Sequence, residues 1–264
     1  MTIPGKHLRL ALSGSGFLAG IHAGAVCAFL ESGIEIVEIA ATSGGSIVGI
    51  AVALGYGAVE LHELAVDTPM DGLLTRNYLR AAVMGSCDSG ASLYSWLDKA
   101  FAGRKMRDAH IPIQVISTDL ANGAFVFSPP ATPDVPMALA ARASAAVPKV
   151  WDPVRYEGRY LFDGGMCANI PVDYLTSDGI ARLGVKVMEA DSYDVSTRLA
   201  RDEAMIARLI ESNEQTEMHL GTALGIGILK VDAGSVGFLE VPTTAVRQAL
   251  FNSGHYAAKQ YLAA

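Results

Sequence analysis

Cysteine is scarce, and what there is lacks pattern. Cys27, Cys87 and Cys167 are odd in number and have no paired CxxC spacing, which argues against a disulfide framework or a zinc-ligand set and for a reducing, cytoplasmic setting. Charge is also thin, at 18% of residues with a net of -7 and a pI near 5.3. No basic footprint for a phosphate backbone is present, so nucleic acid is not an expected partner. Long apolar runs are missing too. The most apolar stretch, Ile47 to Ala58, is broken by Gly49, Gly55 and Gly57 and falls short of the roughly 20 residues that a membrane span requires. Met1 to Leu10 carries Lys6, His7 and Arg9 without a signal-like apolar segment and cleavage site, so no export signal is expected. Membrane contact is expected to be peripheral.

What is abundant is apolar residues, 51% of the chain, and glycine, 27 of 264. That combination fits a buried parallel sheet joined by tight turns. Leu8 to Ser13 reads as a strand, Gly14-Ser15-Gly16 as a turn and Leu18 to Leu30 as a helix. The pattern repeats with a strand over Ile34 to Ala41, a sharp turn at Ser43-Gly44-Gly45 and a helix over Ile47 to Leu54. Two successive strand–turn–helix units imply an α/β fold with a parallel sheet.

Periodicity weakens between Thr68 and Gly90, where Met70, Leu73, Leu74 and Met84 mix with Pro69 and Gly85; this segment reads as a mobile cover. Helical spacing resumes at Leu93, Trp96, Leu97, Ala100 and Phe101, an apolar face suited to core packing. A strand over Ile111 to Ser117 runs into a hairpin at Asn122-Gly123. Thr118 and Asp119 are expected to brace it by local hydrogen bonds. A second hairpin, Val154 to Tyr156 against Arg159 to Phe162, delivers the chain to Asp163-Gly164-Gly165. Gly184 to Met188 reads as a strand, and Thr197 to Ala223 and Thr244 to Leu262 as helices. With no linker-like composition shift, 1–264 is expected to form one domain.

Ser43 sits where a strand ends and a helix begins, among small neighbours. A nucleophile on such a turn has its Oγ lifted above the sheet, with the positive end of a helix dipole beneath it. Gly14, Ser15 and Gly16 offer backbone amides to a developing oxyanion, because adjacent parallel strands set their carboxyl-terminal loops side by side. Asp163, between a strand and two glycines, is the candidate base. An aspartate has an ordinary pKa of about 3.9 and needs desolvation to act as one.

These segments together resemble the patatin-like phospholipase family. Leu10 to Gly16 through His22-Ala23-Gly24 looks like its glycine-rich oxyanion block, and Ala41-Thr42-Ser43-Gly44-Gly45 like its nucleophile motif. Ser117 to Leu120, Ala143 to Pro148 and Asp163-Gly164-Gly165 with Asn169 to Val172 recur in the family's order. The resemblance implies a three-layer α/β/α fold, a catalytic Ser43–Asp163 dyad without metal or cofactor, and hydrolysis of fatty-acyl esters as lipid substrates. Three positions depart from the pattern: Ala41 and Ser15 replace glycines, and Leu18 replaces an arginine that would assist a phosphate head group.

Rival readings use the same residues. Gly14 to Ala19 also fits GxGxxA, with Glu35 and Glu38 near the position of a ribose-binding acid. Ser43, Asp163 and His255 stand in the chain order of an α/β-hydrolase triad. Lys149 and Arg155 are candidates to replace the missing arginine, and His22 reads as a core histidine that positions a turn. A lipid-binding or effector module, with hydrolysis absent or conditional, is the competing class.

Overall fold

The computed structural model describes residues 3–188 and 195–264. In chain order the main elements are β1 (His7–Leu12), α1 (Gly20–Glu31), β2 (Glu35–Thr42), α2 (Ser43–Ala53), α3 (Ala58–His62), α4 (Tyr78–Met84), α5 (Ala91–Ala100) and β3 (Ile113–Asp119). They continue with β4 (Gly123–Phe127), α6 (Met137–Ser144), β5 (Val154–Tyr156), β6 (Arg159–Asp163), β7 (Ala181–Met188), α7 (Arg198–Ala223), β8 (Gly227–Asp232) and α8 (Thr244–Ala263).

The strands form one sheet in the order β5-β6-β3-β2-β1-β7-β8, with β4 paired to β3. The run from β3 to β8 is parallel, and β4, β5 and β6 join antiparallel. Two-residue alternation sorts the faces, with a register shift between Ile36 and Glu38 that puts Ile36 and Ile39 on the same side. Leu8, Leu10 and Leu12 of β1 and Ile36 and Ile39 of β2 enter the larger core. This core includes residues of α1, α2, α5, α6 and α8. The intervening Ala11 and Ala40 face a smaller cluster with Ile170, Val172, Leu175 and Met218 of α7. Small residues on that face let the 164–175 turns lie close to the sheet beneath α7. The result is the expected three-layer α/β/α architecture.

One detail of register positions the site. β3 pairs with β2 at Ile113 to Ile116, with β6 at Ser117 to Asp119, and with β4 from Val115 to Asp119. A strand has two edges, so β2 and β6 must share the edge that β4 leaves free. They lie end to end, with Thr42 opposite Ile116 and Asp163 opposite Ser117. Because β6 runs against β2, their carboxyl termini meet head to head, and the turns that follow each strand face one another.

Several boundaries differ from the sequence reading. α2 starts at Ser43 itself rather than at Ile47. β8 and α6 were not anticipated: β8 is short and interrupts its apolar residues with Gly227 and Lys230, while α6 is a short, alanine-rich helix of which every residue but Leu139 is buried. The 68–90 segment contains α4, none of whose residues is buried, but both flanks are anchored. Asp88 accepts from Thr75 N at 2.7 Å, the Cys87 and Asp88 amides donate to Lys149 O and Val150 O, and Arg80 pairs with Asp152.

Candidate functional site

Thr42 ends β2 in extended conformation (φ -127°), and Ser43 begins α2 with φ +49°. A non-glycine residue in the left-handed region is under roughly 1–2 kcal/mol of strain and persists only where its surroundings hold it. Three bonds do so. Ser43 N donates to Ser144 Oγ at 2.7 Å, Ser144 Oγ donates to Ile116 O at 2.5 Å, and Ser46 Oγ donates to Ser43 O at 2.6 Å. The glycines are steric necessities. A Cβ on Gly44 would collide with Gly16 O, and one on Gly45 with Ser13 O.

Ser43 Oγ donates to Asp163 Oδ2 at 2.7 Å. The other carboxylate oxygen accepts from Gly165 N at 2.8 Å, and Asp163 is 2% exposed. Burial pushes its pKa up to about 6 against the opposing pull of the bonds from Ser43 and Gly165. A desolvated carboxylate with that pKa is a far better proton acceptor near neutrality than an exposed aspartate. Thr118 Oγ1 donates to Asp163 O at 2.8 Å, so Thr118 fixes the main chain of this turn. Asp119 does brace the hairpin, accepting from Ala121 N, Asn122 Nδ2 and Arg159. Its pKa falls to about 2 through those bonds.

The loop after β1 lies beside the Ser43 turn, but its three amides are not equivalent. Gly14 N donates to Asn169 O at 3.0 Å, so its N–H is spent and the expected donor set loses this member. The N–H groups of Ser15 and Gly16 have no acceptor among the described residues, nor does that of Gly44 at the start of α2. Ser15 accommodates its side chain at φ -157°, and Gly16 takes the left-handed turn at φ +52°. His22, fully buried, places this loop by donating from Nε2 to Ser13 O at 2.9 Å; burial lowers its pKa to about 4, keeping it neutral.

A cavity of about 120 Å³ opens over these groups. Leu18, Val147, Ile210 and Phe238 supply apolar wall, and Asn169, Lys186, Glu211 and Glu214 a polar side. Leu18, at the position where the resemblance implied an arginine, is 1% exposed and lines the cavity. Neither cation proposed to replace it reaches the cavity: Lys149 is exposed, and Arg155 stacks over Tyr160 at 4.8 Å. Lys186 is the one cationic side chain among the described lining residues, and the sequence reading missed it. The signal was available only in part. Strand alternation turns Lys186 away from Val185 and Val187, but nothing local places β7 beside β1.

The rival constellations come apart. His255 on α8 pairs with Glu31 of α1 at 2.9 Å and does not line the cavity. Glu38 lies in the middle of β2, opposite Arg9, and is consumed by Arg9 at 2.7 Å and by Thr176. Glu35 pairs with His7. Among the described residues no cluster of His, Cys, Asp and Glu has metal-binding geometry, and no helix is long and apolar enough to cross a membrane.

Fold and site together define a class: an α/β protein with a buried serine–aspartate pair on glycine turns at the carboxyl edge of its sheet. The chain belongs to the patatin-like phospholipase family, whose profile matches residues 10–176. It is 26% identical over 185 residues to the uncharacterized protein YqhO of Bacillus subtilis, a match spanning 61% of this chain and 64% of YqhO. It is 23% identical over 202 residues to mouse patatin-like phospholipase domain-containing protein 6, covering 74% of this chain and 14% of that protein. The crystal structure of VipD from Legionella pneumophila superposes with a TM-score of 0.64 at 16% identity, over 99% of this chain and 67% of VipD. That likeness is one of fold.

Proposed function

We propose that this protein is a serine lipid acyl hydrolase in which Ser43 attacks a fatty-acyl ester and Asp163 takes its proton. The observation that carries the reading is the 2.7 Å bond from Ser43 Oγ to a buried Asp163 whose pKa stands near 6. In the first step the serine oxygen bonds to the acyl carbon, its proton passes to Asp163, and the carbonyl oxygen becomes an oxyanion. The free Ser15 and Gly16 amides, with that of Gly44, meet that charge; one such donor is worth about 2.7–4 kcal/mol in a related setting. The tetrahedral species collapses to an acyl-serine as Asp163 returns the proton to the leaving alcohol. Water then attacks the acyl carbon as Asp163 accepts its proton, and the acid departs as Asp163 returns that proton to Ser43 Oγ.

Membership of the family supports lipid esters as the substrate class. The cavity accommodates the ester and the start of a chain rather than a whole lipid. A second, apolar cavity lined by Phe17, Leu64, Met70, Leu73 and Trp96 begins on the other side of Gly16. Met70 and Leu73 come from the expected cover, which supports a part for that segment in receiving acyl chains. The test is hydrolysis of p-nitrophenyl esters of graded chain length. Wild type turns over and prefers chains beyond acetate, Ser43→Ala is inactive, and Asp163→Asn is nearly so. Unchanged turnover in Ser43→Ala would overturn the reading.

A further inference from the structure

The polar side of the cavity contains more than the proposed chemistry uses. Gly184, Lys186 and Met188 alternate on the face of β7 that looks toward α7, and Lys186 is the last of these before the strand's end. Its position is pinned from both sides, because Ser13 N donates to Val185 O at 3.1 Å and Val187 N donates to Ser13 Oγ at 3.2 Å. Lys186 therefore stands beside the oxyanion loop. Its ammonium group is bonded to Glu214 Oε2 of α7, and Glu214 Oε1 accepts from Asn169 Nδ2. Asn169 Oδ1 in turn lies against Gly14 and Gly165.

The Lys186 and Glu214 side chains are 12% and 11% exposed. A buried ion pair gains little stability over an apolar pair of equal volume. Stability alone does not account for its place in the wall of this cavity. The charge inventory of the described lining is one ammonium, Lys186, against three carboxylates, Asp163, Glu211 and Glu214. Glu211 is paired with Arg208 at 2.6 Å on the exposed side of α7. Leu18 adds an apolar, buried wall residue and no charge.

We infer that the Lys186–Glu214 pair is a specificity determinant that selects acyl esters with a neutral leaving group and rejects those with an anionic one. This rests on the proposed hydrolase reading and names its substrate class. An anionic head group entering the cavity would have to compete with Glu214 for the one ammonium of the described lining while facing the remaining carboxylates. A hydroxylated neutral group, such as the glycerol of a monoacylglycerol, donates to Glu211 or Glu214 and accepts from Lys186 without separating the pair.

The experiment compares octanoyl monoacylglycerol with the matching octanoyl lysophosphatidate, both kept monomeric, and reads the ratio of their kcat/KM values. Wild type should favour the neutral ester by about ten-fold or more. Glu214→Gln keeps an oxygen for Asn169, removes the competing charge and frees Lys186, so the preference should shrink about ten-fold. The double variant Lys186→Gln/Glu214→Gln, with no net change of charge, should return toward the wild-type ratio. Any shift of the Asn169 turn affects both substrates alike and cancels in the ratio. A wild-type preference for the anionic ester overturns the inference, as does a ratio within about two-fold of wild type in Glu214→Gln. So does a double variant that behaves like Glu214→Gln. Fluorophosphonate labelling is run in parallel. Labelled protein with an unmoved ratio defeats the specificity claim alone, whereas absence of both labelling and turnover defeats the hydrolase reading and this inference with it.

Discussion

Replacing Asp163 by Asn should change how stability depends on pH, by an amount that the burial of this one carboxyl sets. Its pKa rises from an ordinary 3.8 to about 6 on folding, chiefly through desolvation. The folded state therefore holds its proton more tightly than the unfolded chain. Below pH 3.8 the carboxyl is neutral in both states and imposes no electrostatic cost. As pH rises through the folded value near 6, ionisation is easier in the unfolded chain, and the proton-linked stability is lost. At about 1.4 kcal/mol per pKa unit the loss comes to roughly 3 kcal/mol, complete by about pH 7. Glu217 is raised in the same direction, to about 7, so wild type alone would mix the two groups. The difference between wild type and Asp163→Asn cancels Glu217, which is common to both. Urea unfolding at half-unit steps from pH 4 to 7.5 should show the variant gaining roughly 2.4 kcal/mol relative to wild type across that window, the rest of the change falling below pH 4. A difference that stays flat, or one that moves the other way, would refute the claim that Asp163 is held desolvated against its charge.

Other consequences follow from the same geometry. The kcat/KM of wild type should rise with pH and level off above an apparent pKa near 6, because the base must be ionised; a pH–rate profile on a neutral ester checks this. At position 43, where φ is +49°, Ser43→Gly should be more stable than Ser43→Ala by about 1 kcal/mol in thermal or urea unfolding, since only glycine takes that conformation without strain. Gly44→Ala would drive a Cβ into Gly16 O, and displacement of the oxyanion loop should cost about 10²–10³ in kcat. His255→Ala should leave kcat/KM within about two-fold and cost about 1 kcal/mol, because it removes a partly exposed pair with Glu31 and a stacked ring contact with Phe251, both away from the cavity.

Much of the site was legible because it is built from local turns. Ser43-Gly44-Gly45 and Asp163-Gly164-Gly165 each follow a strand, and close packing at those turns admits no larger residue. A Cβ on Gly164 would strike Ile116 O, where β2 and β6 meet. That meeting was not legible, since it follows from which edge of β3 each strand takes. The same limit explains the amide of Gly14. Glycine there suggested a donor, but the partner that consumes it, Asn169 O, comes from a turn 155 residues later in the chain. Lys186 and Glu214 lie on consecutive elements, β7 and α7, but their separation of 28 residues belongs to no recognisable spacing. The cover was read from weak periodicity. α4 explains this: Tyr78, Leu79, Val83 and Met84 are exposed, and Arg80 anchors the helix instead of an apolar face.

The most direct test of the central claim is intact-mass and peptide analysis after reaction with a fluorophosphonate. The account predicts a single adduct on the peptide containing Ser43, absent in Ser43→Ala and formed far more slowly in Asp163→Asn. An adduct on another residue, or one that persists undiminished in Ser43→Ala, would contradict it.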